Sequence, residues 1–169
     1  MLGHIIDYRT VGGSSSFIFN DRTPILTGNW TSPYYYIKVD SVDGHFGADL
    51  SYESHPIPNA IGEKSGDVFR RGKTLTFSGT IYGRGLSEIY SGVDFLQQML
   101  ADTNIRPLVF IPWNHGIQLY YNARPYQDLS VTENFDSQVF KFGYVFALRA
   151  DDPRTYKVSD GSLFPDWQQ

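Results

Sequence analysis

Apolar and polar positions alternate with period two over much of this chain, the pattern of strands with one buried face. The longest run ends at Ala150: Phe140, Phe142, Tyr144, Phe146 and Leu148 alternate with Lys141, Gly143, Val145, Ala147 and Arg149. It stops at Asp151-Asp152-Pro153, because proline cannot donate to a ladder and pushes Asp152 toward an extended or turn conformation. Lys73 to Tyr82 alternates as strictly. Leu75, Phe77, Gly79 and Ile81 face one way, and Thr74, Thr76, Ser78, Thr80 and Tyr82 the other. Tyr34 to Val42 puts Tyr35, Ile37, Val39 and Ser41 on one face and Tyr34, Tyr36, Lys38 and Asp40 on the other. Asp43-Gly44 then reads as a tight hairpin turn, with Phe46, Ala48, Leu50 and Tyr52 marking a return strand. Shorter strands are expected at Phe17–Asn20, Leu108–Ile111, Ile117–Ala123 and Gln127–Glu133, with a turn at Asn114-His115-Gly116.

One segment changes period. Leu86, Ile89, Tyr90, Val93, Leu96 and Leu100 recur at spacings of three and four, which predicts a helix over about 86–102. Ser87 or Ser91 is placed to cap it, and Ser91-x-x-Asp94 has capping-box spacing. Gly92 weakens its first turn, and Asp102-Thr103-Asn104 followed by Pro107 ends it. Residues 1–16 end in Gly12-Gly13-Ser14-Ser15-Ser16, a flexible turn-like cluster, and residues 21–33 read as irregular. Residues 53–72, punctuated by Pro56, Pro58, Gly62, Gly66 and Gly72, read as a long loop, and loops of that length usually serve a function. The outline is a mainly β chain: a β-sandwich or partly open barrel with one helix against its side. The domain spans 1–158, and 159–169 form a C-terminal tail with too little apolar pattern for a core of its own.

With 169 residues, a single domain buries enough surface to need no staple. Its 12 Tyr and 12 Phe imply a core and half-buried sheet faces built largely from rings. The absence of cysteine excludes disulfides, thiolate catalysis and zinc–cysteine sites, and fits synthesis in a reducing cytoplasm. No apolar run is long enough to cross a membrane, and Met1 to Asp7 has none of the regions of a signal peptide. Fourteen basic residues against 18 acidic ones, net charge −4, disfavour a grip on nucleic acid, though DNA could slide past such a surface.

Few motifs carry chemistry. Gly72-Lys73-Thr74 lacks the earlier glycine of a phosphate loop and leads into a strand, not a helix. Gly83-Arg84-Gly85 lacks the third glycine of a dinucleotide fingerprint and reads as a turn. His4, His45, His55 and His115 are too far apart for a local zinc site. Asp40, Asp43, Asp49 and Glu53 do not follow a calcium-loop pattern. Asp151-Asp152 is explained by its turn, and no set of nucleophile, base and orienting group can be named, so no catalytic residue, metal or cofactor is expected. Asn29-Trp30-Thr31 matches a glycosylation acceptor by chance. Trp30, Tyr34-Tyr35-Tyr36 and Trp113 are the residues that would stack on a sugar, although core or interface packing accounts for them as well.

The order of pieces resembles the distal tail and minor tail proteins of long-tailed bacteriophages, most of all those of actinobacteriophages. The resemblance is carried by Gly72-Lys73-Thr74-Leu75-Thr76-Phe77-Ser78-Gly79, by Phe95-Leu96-Gln97-Gln98-Met99-Leu100, and by the aromatic strand that reaches Ala150-Asp151-Asp152-Pro153-Arg154-Thr155-Tyr156. It implies a tail-tube-like β-sandwich or split barrel with a flanking helix. It also implies a structural virion protein at the tail tip, in a six-membered ring that joins the tail tube to the hub and leaves a channel for DNA. On that reading the partners are further copies of the chain, the tail-tube protein and tip proteins; DNA passes without specific binding, and no membrane is involved. The loop residues Ile57, Ile61, Val68, Phe69, Arg70 and Arg71 are candidate subunit contacts, and Tyr156, Phe164 and Trp167 candidate anchors for docking the C-terminal tail. The alternative is a β-sandwich carbohydrate-binding module of a tail tip.

Overall fold

In the computed structural model the described residues are 4–9, 16–20, 35–45, 50–56, 63–70, 72–112, 116–134 and 140–164. They form β1 (His4–Arg9), β2 (Ser16–Phe19), β3 (Tyr35–Asp43), β4 (Leu50–Pro56), β5 (Glu63–Arg70), β6 (Lys73–Gly83), α1 (Leu86–Ala101), β7 (Arg106–Pro112), β8 (Leu119–Thr132), β9 (Lys141–Ala150), β10 (Thr155–Lys157) and β11 (Leu163–Phe164). The main sheet runs β2-β1-β7-β8-β9-β6-β3, all antiparallel, with β10 added beside β8 and β11 beside β10. It folds over on itself as a sandwich with one flanking helix, as the alternation predicts.

β8 makes the corner. Its first half, Leu119 to Ala123, pairs with β7, and its second half, Arg124 to Thr132, pairs with β9. The sequence reads as two strands here, Ile117–Ala123 and Gln127–Glu133. The structure corrects this to one 14-residue strand whose register shifts at Pro125/Gln127 and Gln127/Ser130. A bulge is where a proline fits within a sheet, and it supplies the bend that carries β8 from one layer to the other.

The opposite seam is closed by a side chain. Asn20, just past β2, adopts a left-handed φ of 61°, a region that asparagine tolerates better than most residues. Its backbone N–H donates to the Ile37 carbonyl at 3.2 Å. Its side-chain oxygen accepts from the Val39 N–H at 2.7 Å, and its amide nitrogen donates to the Val39 carbonyl at 3.4 Å. One asparagine thus imitates a strand residue across the gap between β2 and β3.

The core is aromatic. The Phe77 and Phe146 rings stack at 4.9 Å, and Tyr144 continues the stack at 5.8 Å. Phe17, Phe19 and Tyr35 converge on Phe95 of α1 at 4.9, 6.3 and 6.0 Å. Tyr144 and Tyr8 are buried to their hydroxyls, and each donates to a carbonyl: Tyr144 to Lys38 at 3.0 Å, Tyr8 to Ala123 at 3.1 Å. Gly79 makes room for the first of these, since a Cβ there would lie 1.9 Å from the Lys38 oxygen.

Several local expectations are corrected. A register shift in β3 between Val39 and Ser41 puts two residues opposite one, so the faces swap: Ser41 turns outward to the Ser78 hydroxyl at 2.8 Å and Val42 packs against the core. Asp43-Gly44 is not a two-residue hairpin. β3 pairs with β6, and Leu50 to Pro56 pairs with β5. Gly44 is required for a different reason, with φ +80° and the Thr74 carbonyl oxygen 2.2 Å from where its Cβ would stand. Residues 53–72 are not an irregular loop, because most of them belong to the β4–β5 hairpin. Glu63-Lys64-Ser65-Gly66-Asp67 has no apolar alternation, so only its backbone pairing identifies it as a strand. His4–Arg9, where the sequence predicts no element, is a strand that buries Ile6 and Tyr8. Neither Ser87 nor Ser91 caps α1. Gly85 holds the N-cap position without a side-chain bond, and the Ser91 hydroxyl donates to the Ser87 carbonyl at 3.0 Å. Gly92 sits where α1 comes closest to the sheet, its absent Cβ 2.7 Å from Ile81.

Candidate functional site: the C-terminal corner and the β4–β5 hairpin

The run Asp151-Asp152-Pro153-Arg154-Thr155-Tyr156 ends β9 and turns the chain back along β8. The turn is held by Asp152. Its carboxylate accepts from the Arg154 backbone N–H at 3.0 Å, from the Arg154 guanidinium at 2.8 to 3.1 Å, and from the Tyr156 hydroxyl at 2.6 Å. Burial opposes ionisation of Asp152, but the hydrogen bonds from Arg154 and Tyr156 outweigh it and hold the pKa at about 2. Tyr156 is raised, by burial and by its bond to that carboxylate. Asp151 turns the other way, 3.0 Å from Arg124 and 3.3 Å from Arg149. Gly72 allows the corner to close, as a Cβ there would lie 2.8 Å from the Ala150 oxygen.

Beyond the turn, β10 docks on its own domain. Tyr156 and Lys157 pair with Tyr120 and Leu119 of β8, and the Tyr156 ring stacks on Tyr120 at 5.4 Å. Phe164 lies on β11, opposite Thr155. Thr155 is buried and donates to the Tyr121 hydroxyl at 2.9 Å. That hydroxyl donates to the His45 carbonyl at 2.5 Å. Lys73 donates to the same carbonyl at 3.0 Å, with its ammonium 3.8 Å above the Tyr121 ring. Burial pulls the Lys73 pKa from 10.5 down to about 8, against the pull of the Asp152 charge. The turn after β3, the first residue of β6, β8 and β10 therefore meet at one buried amine. The sequence does carry a signal for it: Lys73 shares the inward parity of Leu75 and Phe77 on β6.

The fold is similar to that of two solved phage proteins. The SPP1 Dit protein, described as a paradigm of the hub adsorption apparatus in phages infecting Gram-positive bacteria, matches 92% of this chain at TM-score 0.62 and 13% identity. A chain of the phage P2 baseplate, in its activated conformation with Ca, matches 89% at TM-score 0.54 and 12% identity. The chain spans about half the length of these structures, covering 52% and 44% of them. No protein-family model matches the chain, and no curated protein does.

Of the candidate subunit contacts, Val68, Phe69 and Arg70 lie on β5, opposite Tyr52, Ser51 and Leu50 of β4. Ile57, Ile61 and Arg71 lie outside the described residues, as do Trp167, Trp30, Trp113, Tyr34 and the Asn114-His115 turn. Within the described set the two candidate groups lie on different sheets: one on the two-stranded β4–β5 hairpin, the other beside β8 in the main sheet.

Proposed function

We propose that this chain is a structural virion protein of a long, non-contractile phage tail. Copies of it form a six-membered ring at the distal end, join the tail tube to the tip and hub proteins, and leave a channel for DNA. The observation that supports this best is the fold likeness to a hub protein of the tail tip over 92% of the chain. On this reading the protein is made in the host cytoplasm, works in the virion and catalyses nothing. The β4–β5 hairpin reaches a neighbouring copy through Val68, Phe69 and Arg70, together with Ile57, Ile61 and Arg71. Phe164 and Trp167 of the C-terminal tail reach the next tail component. A two-stranded hairpin is marginal alone, which favours a hairpin that is covered in the assembly.

Native mass spectrometry of the purified protein with its tail-tube partner tests the reading. The expected result is a species of six copies. A protein that stays monomeric with that partner, and sits as single copies at the periphery of assembled tails, overturns it. Monomers retained on a glycan column would favour the carbohydrate-binding module instead.

A further inference from the structure

We propose that Arg124 and Arg149, with Tyr126 beside them, form a receiving site for a carboxylate presented by another protein chain, and that Asp151 occupies it as a stand-in. Arg124 on β8 and Arg149 on β9 are direct cross-strand partners. Like charges in that position work against the ladder, so the pair calls for an anion. One carboxylate serves both: Asp151 reaches Arg124 Nη2 with one oxygen at 3.0 Å and Arg149 Nε with the other at 3.3 Å. The second acid of the corner does not help, because Asp152 is taken by Arg154 and Tyr156. The pair therefore keeps an excess of one positive charge. Its side chains remain 47% and 35% exposed, and each guanidinium has five donors in a planar fork, so outward-facing edges are left over.

Tyr126 supplies the apolar part. At 60% it is the most exposed large hydrophobic residue among the described ones, and its ring centre lies 5.5 Å from the Arg149 guanidinium carbon. Tyrosine and arginine are the side chains that most often anchor protein interfaces. A planar guanidinium matches a planar carboxylate edge to edge. The chain's net charge of −4 repels a densely charged polymer such as DNA more strongly than a short acidic segment. This inference does not depend on the ring reading, since the site would serve any acidic chain brought to this corner.

The test uses a blocked tetra-glutamate peptide, followed through the Nε–Hε NMR signals of the arginines. Saturable shifts at Arg124 and Arg149 are expected, with a tetra-glutamine peptide giving none. Arg149→Gln should weaken binding about tenfold, the size of one charge-assisted hydrogen bond. Lys141→Gln, the same charge change elsewhere on β9, should leave it unaltered. Asp151→Asn removes the competitor and should tighten binding several-fold, more than Asp94→Asn, the same charge change on α1. Circular dichroism of each variant confirms the fold. The proposal is overturned by the absence of saturable shifts, by an Asp151→Asn protein that binds no more tightly, or by oligothymidylate producing the same shifts at lower concentration.

Discussion

Replacing Lys73 with methionine should flatten the alkaline part of this protein's stability profile. Lys73 is 5% exposed, and its ammonium donates to one carbonyl and lies on the Tyr121 ring. Its pKa of about 8 against an ordinary 10.5 means that burial penalises the charged form by about 3 kcal/mol at neutral pH, at about 1.4 kcal/mol per pKa unit. Between those two values the unfolded chain holds a proton that the folded chain has released. Stability therefore rises with pH through that window. Above about pH 10 the sign reverses. Burial pushes the Tyr8 hydroxyl up to about 12, against the pull of Arg106, and raises Tyr121 and Tyr144 as well. The unfolded chain then loses tyrosine protons that the folded chain keeps. Urea titrations across this range should find the wild-type midpoint climbing from about pH 8 and falling beyond about pH 10. Lys73→Met should lack the climb and be at least as stable as wild type at pH 7, because the His45 carbonyl still accepts from Tyr121. A flat wild-type profile between pH 8 and 10, or a variant that still climbs, refutes the reasoning.

Gly79→Ala should destabilise by about 3 kcal/mol in urea, because its Cβ meets the Lys38 oxygen and β3 has to move. Asp152→Asn should loosen the corner. Wild-type protection of the Lys157 and Val158 amides, which donate to Ser162 and Gln118, should be present above about pH 4 and fall as the pH drops through about 2, while the variant lacks that dependence in hydrogen exchange. Removing residues 159–169 should leave the sandwich folded by circular dichroism but weaken assembly with tail components in native mass spectrometry.

What could be read in the sequence depended on whether burial imposes a period. β6, β9 and α1 pack one face on the core, so their alternation or their three-four spacing is visible in Leu75, Phe77, Phe142, Phe146, Ile89 and Leu96. The β4–β5 hairpin was legible only at Leu50 and Tyr52, because Glu63 to Asp67 carries no apolar alternation and is identified by backbone pairing. The β3 bulge and the bend in β8 are departures from register, which an alternation rule cannot express, although Pro125 sits at the second. The Asp-Asp-Pro stop was legible as a turn, yet its charge partners were not. Arg124 and Arg149 meet only through the β8–β9 register, and Lys73 finds His45 and Tyr121 only when β6 lies beside them.

The two ends of the sandwich differ in how they would fail under load. At the β8 corner the layers share one uninterrupted strand, so pulling them apart there means tearing a backbone ladder. At the other end, among the described residues, hydrogen bonds from Asn20 to β3 join them. A force across the layers should therefore part them at Asn20 first, with β8 acting as the hinge. On the proposed ring reading, neighbouring parts are best placed over the Asn20 seam.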